Sequence, residues 1–84
     1  MARKVQLSRQ ANKYLSRMPK PKALKMAKAF QQIASGNEEG LNIKYFLNQG
    51  IYRLRQGGIR AMYELQGKDL MLVVRIRSRG DVYK

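Results

Sequence analysis

Residues 51–66 have the sequence IYRLRQGGIRAMYELQ, and this stretch decides the fold. Polar and apolar residues alternate over residues 51–56 and again over residues 59–66, which predicts two strands that each have one apolar face. The Gly57-Gly58 pair between them is typical of a two-residue hairpin turn. Residues 70–77 follow another glycine-containing turn and predict a third strand. The sequence therefore predicts an antiparallel meander in this half of the chain.

The first half of the chain has helical periodicity after a short alternating segment at residues 4–7, which predicts a strand. Residues 8–18 predict a helix with Ser8 as its N-cap, and residues 20–35 predict a second helix that ends at a glycine. We expect an antiparallel helix pair. Residues 41–46 are apolar-rich, and we expect Lys44 there to lie in a loop, which would have to reach the sheet to take part in a site. The whole is an α+β domain with a three- to four-stranded, mainly antiparallel sheet, and residues 1–84 form one domain.

The second helix has one apolar face that we expect to cover the sheet. Its predicted members are Ala23, Met26, Ala27, Phe30, Ile33 and Ala34. Side chains of this kind at helical spacing are typical of a protein core rather than of a ligand site.

Composition excludes several classes of site. The 84 residues include 18 Lys or Arg against 5 Asp or Glu, a net charge of +13, and they contain no Cys, His or Trp. Disulfides, Cys/His zinc sites and Ser-His-Asp triads are therefore excluded. No apolar run reaches the roughly 18 residues of a membrane span, and the first residues lack a signal-peptide core, so we expect a cytoplasmic protein.

Both halves of the chain carry the excess positive charge, so this is not a neutral domain with a basic tail. A small domain with this charge repels itself, and a polyanion relieves the repulsion. Nucleic acid is the leading partner, and an anionic membrane surface or an acidic protein is the alternative.

Strand alternation predicts that the arginines meet on one face of the sheet. The apolar residues of the third strand that share parity are Leu70, Leu72, Val74 and Ile76, and we expect them to face the helices with the apolar residues of the other strands. The residues that then share the opposite face are Arg53, Arg55, Arg60, Arg75 and Arg77, joined by Arg79 if the strand extends that far. Glu64 is the one carboxylate among them.

Like charges that face each other across neighbouring strands destabilise a sheet. An ordinary solvated face therefore contains both positive and negative side chains, and this face does not follow that pattern. Arginine in preference to lysine is typical of bidentate phosphate binding. Tyr83, just past the third strand, could stack on a base or supply a hydroxyl group. A solvated charged face remains the alternative interpretation.

Residues 50–55 (GIYRLR), 58–65 (GIRAMYEL) and 75–83 (RIRSRGDVY) together resemble the RelE/ParE toxin superfamily, over about residues 4–84. The resemblance implies a RelE-like microbial RNase fold and a toxin of a type II toxin–antitoxin pair. RelE-type members cleave mRNA in the ribosomal A site without a metal, whereas ParE-type members poison DNA gyrase. The resemblance favours the RelE type for two reasons. The basic positions of the RelE-type active site are filled by Arg53, Arg55, Arg60 and Arg77, and the closing Val82-Tyr83 is present.

By resemblance, the catalytic residues are Arg53, Arg55, Arg60, Arg77 and Tyr83, and the further RNA-binding residues are Lys44, Arg75 and Arg79. The expected reaction is attack of a ribose 2′-hydroxyl on the adjacent phosphate. Arg60 and Arg77 are predicted to contact that phosphate, since guanidinium groups suit charge that builds on phosphoryl oxygens. No cofactor or metal is expected, because Glu38 and Glu39 are more typical of a solvated turn than of a Mg²⁺ site.

The general base is not fixed by the sequence. RelE-type members often carry Lys where this chain has Arg53 and Arg55, and an arginine hardly ever loses its proton. Tyr83, Glu64 and Lys44 are the candidates, and the alternative is that the ribosome orients the RNA so that little base catalysis is needed. The expected partners are mRNA, the ribosome and a cognate antitoxin, with a monomer when free and a hetero-oligomer with the antitoxin. A non-catalytic RNA-binding module is a further alternative.

Overall fold

The structure is a computed structural model that describes residues 2–78. Its elements are, in chain order, β1 (Lys4–Leu7), α1 (Arg9–Arg17), α2 (Lys20–Ala34), β2 (Asn42–Phe46), β3 (Ile51–Gln56), β4 (Ile59–Gln66) and β5 (Leu70–Ser78). The α+β class is confirmed. Neither helix of the described residues is long and apolar enough to cross a membrane.

The sheet has the strand order β1-β5-β4-β3-β2 within the described residues. Strands β2 to β5 form the predicted antiparallel meander, and β1 pairs in parallel with β5, opposite the first residues of that strand. This pairing adds the predicted N-terminal strand to the four strands of the predicted sheet. It joins segments about 66 residues apart, and local alternation contains no information about such a distant partner.

Local interactions explain where the helices begin and end. The Ser8 hydroxyl accepts a hydrogen bond from the Ala11 amide at 3.1 Å and so caps α1, as predicted. Met18, directly before Pro19, is extended (φ −74°, ψ 150°), because proline disfavours helical backbone in the residue before it. Gly36 follows α2 with φ +86°, a conformation that ends helices and suits glycine.

Both helices cover the same face of the sheet, and the core lies between the two layers. The buried helix residues are Ala11, Met26, Ala29, Phe30, Ile33 and Ala34, and they form one cluster with the buried strand residues Leu54, Ala61, Tyr63, Met71, Val73 and Ile76. The prediction that Ala27 belongs to this face was wrong: Ala27 is exposed and Ala29 is buried. Ala27 lies about 100° around the helix from Met26, at the margin of the apolar stripe.

A β-bulge in β5 changes the predicted alternation. The partner pairs run from Met62 with Arg75 directly to Tyr63 with Val73, so Val74 has no partner on β4. An extra residue of this kind reverses the order of inward and outward side chains on its strand. The buried side chains of β5 are consequently Met71, Val73 and Ile76.

The prediction that Leu70, Leu72 and Val74 face the core with Ile76 was therefore wrong. Residues 70–74 are all apolar, so alternation there gives no choice between the two faces. Beyond the bulge the predicted orientation holds, and Arg75 and Arg77 lie on the face opposite the helices.

Candidate nucleic-acid interface

Three arginines form a row across the middle of the sheet. Arg55 on β3 is paired directly with Arg60 on β4, which is paired in turn with Arg77 on β5. Directly opposed residues have Cβ atoms about 4.5–5.5 Å apart and project from the same face. All three side chains are exposed, and one strand neighbour of each is buried under the helices, namely Leu54, Ala61 and Ile76. We call Arg55, Arg60 and Arg77 the arginine row.

A second row lies beside the first on the same face. Lys44 on β2 is paired with Arg53 on β3, Arg53 with Met62 on β4, and Met62 with Arg75 on β5. Lys44 thus belongs to a strand, whereas the sequence interpretation placed it in a loop that had to reach this face. The two rows together are the arginine face, whose cationic residues are Lys44, Arg53, Arg55, Arg60, Arg75 and Arg77.

The arginine face is electrostatically unfavourable by itself. No ion pair joins any of its six cationic residues to a carboxylate within residues 2–78. Directly opposed like charges destabilise a sheet, and the arginine row contains two such pairs in succession. A ligand with several negative charges removes this repulsion when it binds.

Phe46 holds the cationic side chains at the β2 end of the arginine face. The Arg53 guanidinium carbon lies 5.6 Å from the centre of the Phe46 ring, and the Lys44 ammonium lies 5.4 Å from it. Both distances are typical of cation–π contacts. The Nε of Arg53 is buried and has no hydrogen-bond partner in the described part of the chain. The prediction omitted Phe46, although alternation over residues 41–46 places it on the same face as Lys44.

A depression of about 170 Å³ lies at the tip of the β3–β4 hairpin, between Arg55 and Arg60. Its other walls are the backbones of Gly57 and Gly58. This volume is about that of five or six water molecules in the liquid, enough for a phosphate group. Two guanidinium groups and a backbone without side chains are a favourable environment for such an anion.

Glu64 lies on the arginine face but away from the arginine row. It is paired with Leu72, and its carboxylate accepts a hydrogen bond from the Gln66 side chain at 3.1 Å. Glu64 is four residues beyond Arg60 in β4, about 13 Å along the strand at about 3.3 Å per residue. The carboxylate therefore leaves the positive charge of the arginine row uncompensated.

Three tyrosines form a ladder on the opposite, helix-covered face. Tyr45, Tyr52 and Tyr63 are paired across β2, β3 and β4, with ring centres 4.5 Å and then 5.2 Å apart. The Tyr63 hydroxyl is buried and has no hydrogen-bond partner among residues 2–78. Burial, and next the negative charge of Glu38 and the neighbouring Tyr52, raise the pKa of Tyr63 above its ordinary value. Tyr63 therefore stays protonated and has no access to the arginine face.

The N-terminus of α1 fixes the position of β5 at the bulge. The Ser8 amide donates to the Val73 carbonyl at 2.9 Å, and the Ser8 hydroxyl donates to the Val74 carbonyl at 2.6 Å. The helix cap therefore also binds the unpaired residue of the bulge. These bonds support the segment of β5 that carries Arg75 and Arg77.

Six of the eight predicted site residues lie together on the arginine face. The other two, Arg79 and Tyr83, lie outside the described residues. No group of three or more Asp, Glu, His or Cys side chains comes together as a metal site within residues 2–78.

Comparison with known proteins gives one family and several related folds. The family model described as the ParE toxin of the type II toxin–antitoxin system parDE matches residues 5–83. No curated protein sequence matches the chain significantly.

Three solved structures have the same fold. The first is the toxin–antitoxin complex RelBE2 from Mycobacterium tuberculosis, with a TM-score of 0.72 and 15% identity over 94% of this chain and 100% of that one. The RelB–RelE antitoxin–toxin complex from Methanococcus jannaschii has a TM-score of 0.70 and 22% identity over 93% and 94%. YafQ from Escherichia coli has a TM-score of 0.65 and 14% identity over 98% and 99%.

Proposed function

The chain belongs to the ParE toxin family of type II toxin–antitoxin systems, within the RelE/ParE superfamily, and we propose that it is a ribosome-dependent endoribonuclease that cleaves mRNA in the A site. The observation that carries this proposal is the arginine row, in which Arg55, Arg60 and Arg77 are directly opposed across three strands without a compensating carboxylate. Such an arrangement reduces stability and is useful when a phosphate group is the ligand.

The proposed reaction is an internal transfer at one phosphate of the RNA. The 2′-oxygen attacks the adjacent phosphorus and loses its proton to a base, and the bond from phosphorus to the 5′-oxygen breaks. The products are a 2′,3′-cyclic phosphate and a 5′-hydroxyl, whose oxygen gains a proton. Negative charge builds on the phosphoryl oxygens in the transition state, where preorganised guanidinium groups stabilise it.

The arginine row supplies the charges for this reaction without a metal ion. We assign Arg60, at the centre of the row, and Arg77, beside it on β5, to the reacting phosphate, with Arg77 next to the leaving oxygen. Arg55 borders the depression at the hairpin tip and is placed to hold a neighbouring phosphate. Arg53, Lys44 and Arg75 flank the row and bind the RNA backbone.

The positions of Glu64 and Lys44 count against these two candidates for the general base, which leaves Tyr83 as the one we propose. Glu64 is about 13 Å along β4 from Arg60, and Lys44 is two strands away from Arg60 in the neighbouring row. Tyr83 lies outside the described residues, six positions after Arg77. A phenolate stabilised by nearby cations can accept a proton, and this is the role that we propose for Tyr83.

An antitoxin is the proposed protein partner, with the toxin monomeric when free and hetero-oligomeric in the complex. An acidic chain would offset the net charge of +13, and β2 is an edge strand to which such a chain could add. Tyr45 on β2 and Leu47 just after it are exposed apolar side chains at this edge. Because the proposed reaction takes place on the ribosome, we propose that the protein acts in the cytoplasm.

Inhibition of DNA gyrase is the second candidate function, because the matching family model describes a ParE toxin. An inhibitor that acts by binding a protein does not require a row of opposed arginines. We therefore favour the endoribonuclease function over gyrase inhibition. Non-catalytic RNA binding would need the arginine face but not Tyr83.

A cell-free translation reaction with primer extension tests the proposal. Cuts in phase with codons, only in translated mRNA, are expected for the wild type, and the Arg60→Gln variant should lose them while Arg9→Gln, on the exposed side of α1, keeps them. The Tyr83→Phe variant tests the base, since unchanged cleavage removes Tyr83 from that role. Intact mRNA together with blocked gyrase supercoiling would instead establish the ParE-type function.

A further inference from the structure

A second basic cavity, with a volume of about 800 Å³, lies between the helices and the tip of the β3–β4 hairpin. We call it the helix cleft. Lys13 and Arg17 from α1 and Lys22 and Lys25 from α2 line it, and all four side chains are exposed. No carboxylate is among its lining residues within the described part of the chain.

The two helices beside the helix cleft carry charges of one sign only, and four of these charges line the cleft. The cationic residues of the two helices are Arg9, Lys13, Arg17, Lys20, Lys22, Lys25 and Lys28. The first Asp or Glu of the sequence is Glu38, so neither helix contains an acid. Arg9, Lys13 and Arg17 are spaced four residues apart, which places like charges next to each other and destabilises the helix. An exposed helix that only needed solubility would alternate signs.

The wall of the helix cleft is apolar and aromatic. Tyr14, Met18 and Ile59 line it, and each is only partly buried. Cationic side chains beside a partly exposed aromatic ring are typical of sites for single-stranded nucleic acid, in which the charges bind phosphates and the ring stacks on a base. An acidic peptide matches the charges as well but does not make use of an aromatic wall in this way.

The helix cleft and the arginine face meet at the hairpin tip. Gly57 and Gly58 line the cleft, and the same two residues line the depression between Arg55 and Arg60. A Cβ atom at either glycine would meet open space, so the backbone here is a low rim between two basic hollows. One extended strand of nucleic acid can therefore cross the hairpin tip and contact both basic hollows.

We propose that the helix cleft is a second RNA-binding site, which holds the segment of single-stranded RNA adjacent to the phosphates on the arginine face. The proposal rests on the proposed function in so far as the arginine face binds RNA. It adds a binding site of distinct position and chemistry, whose charges are mostly lysines and whose wall is apolar. The cleft increases affinity for longer RNA, whereas the arginine face alone determines affinity for a short one.

The test compares two lengths of RNA on two matched variants. Fluorescence anisotropy measures the affinity for 2′-O-methyl oligonucleotides of about 4 and about 12 nucleotides, lengths within the range that single-strand sites cover. The 2′-O-methyl group prevents cleavage by 2′-hydroxyl attack. The cleft variant is Lys22→Ala/Lys25→Ala, and the control is Lys28→Ala/Lys68→Ala, which removes the same charge at exposed positions that do not line the cleft.

The wild type and the control should bind the longer RNA at least about tenfold more tightly than the shorter one, a gain that one stacked base and its phosphates can supply. The cleft variant should lose most of this gain and keep its affinity for the short RNA. A plot of the logarithm of its binding constant for the long RNA against the logarithm of the salt concentration should have a slope that is smaller in magnitude by about 1.4. Each of the two lost phosphate contacts on a single strand contributes about 0.7 to this slope.

Four results overturn the inference. A gain with length that persists in the cleft variant, or a wild type without such a gain, removes the second site while the arginine face still binds the short RNA. A cleft variant that loses antitoxin binding but keeps the length-dependent gain makes the cleft a protein-binding site. Failure of the wild type to bind either RNA refutes the proposed function and this inference together.

Discussion

The side chain of Gln10 is hydrogen-bonded to both backbone groups of Ile76: its Nε2 donates to the Ile76 carbonyl at 2.8 Å, and its Oε1 accepts from the Ile76 amide at 2.9 Å. Strand β1 ends at Leu7, so the Gln10 amide replaces the next peptide group of the parallel ladder along β5. Ile76 lies between Arg75 and Arg77. One helical side chain thus fixes the backbone that presents two cationic residues on the opposite face.

Replacement of Gln10 by Leu should destabilise the protein by about 1–3 kcal/mol, because it leaves a partly buried N–H and C=O without partners. Chemical denaturation measures the change, and amide hydrogen exchange at Ile76 should become faster. Gln31→Leu on the exposed side of α2 is the control and should change little. Equal effects of the two substitutions would mean that the bonds to Ile76 contribute nothing.

Removal of the Tyr63 hydroxyl should stabilise the protein. This hydroxyl is buried without a partner, a condition that costs about 1–3 kcal/mol, and Tyr63→Phe keeps the packing of the ring. A higher thermal midpoint is expected. Tyr52→Phe is the control, since the Tyr52 hydroxyl is not among the buried unpaired atoms. A lower midpoint for Tyr63→Phe would show that the hydroxyl has a partner in solution.

The same residue predicts a dependence of stability on pH. The pKa of Tyr63 in the folded protein is raised above that of an unfolded tyrosine, about 10, mainly by burial. The folded state therefore keeps its proton when the unfolded state has lost it, and stability falls as the pH rises above about 10. Urea unfolding at pH 9 to 11 measures this loss, which should be smaller in Tyr63→Phe than in the wild type. Identical pH profiles of the wild type and Tyr63→Phe would show that Tyr63 does not cause this loss of stability.

The two glycines of the β3–β4 turn should respond differently to substitution by alanine. Gly57 has φ +61°, in the left-handed region, whereas Gly58 does not have a positive φ. A Cβ meets no atom within 4 Å at either position, so only backbone conformation decides the result. Gly57→Ala should destabilise by about 1–2 kcal/mol. Gly58→Ala should be neutral or stabilising by up to about 1 kcal/mol, since it restricts the unfolded chain.

Arg60→Gln should abolish RNA cleavage and yet increase stability. Arg60 is the centre of the arginine row, so its loss removes two directly opposed like-charge pairs, each unfavourable by about 0.2–1 kcal/mol. The thermal midpoint should rise at low ionic strength and the difference should shrink in high salt, which screens exposed charges. Lys68→Gln in the β4–β5 turn makes the same change in net charge and should give a smaller rise. A destabilised Arg60→Gln would show that repulsion in the row is already relieved.

The arginine row was predictable because its register depends on a short local connection. The two-residue turn at Gly57-Gly58 places Gln56 opposite Ile59 and therefore Arg55 opposite Arg60. Alternation then gives both residues the same face. Arg77 was assigned to that face from its position next to the apolar Ile76, and this orientation is unaffected by the bulge upstream.

Other features could not be predicted from the sequence, because they depend on contacts between segments that are far apart in the chain. Residues 70–74 are apolar on both parities, so only packing against the helices selects Met71 and Val73 as core residues. The pairing of β1 with β5 and the bond from Gln10 to Ile76 each join residues 66 positions apart.

The chain by itself determined the order of its elements, the hairpin register and the common orientation of its arginines, since each follows from spacing over a few residues. Only the tertiary structure decided which side of β5 is buried, how α1 holds that strand, and that the helix cleft opens beside the arginine face at the hairpin tip. These depend on the positions of whole elements in space, and helices and strands of the same local pattern can pack in more than one arrangement.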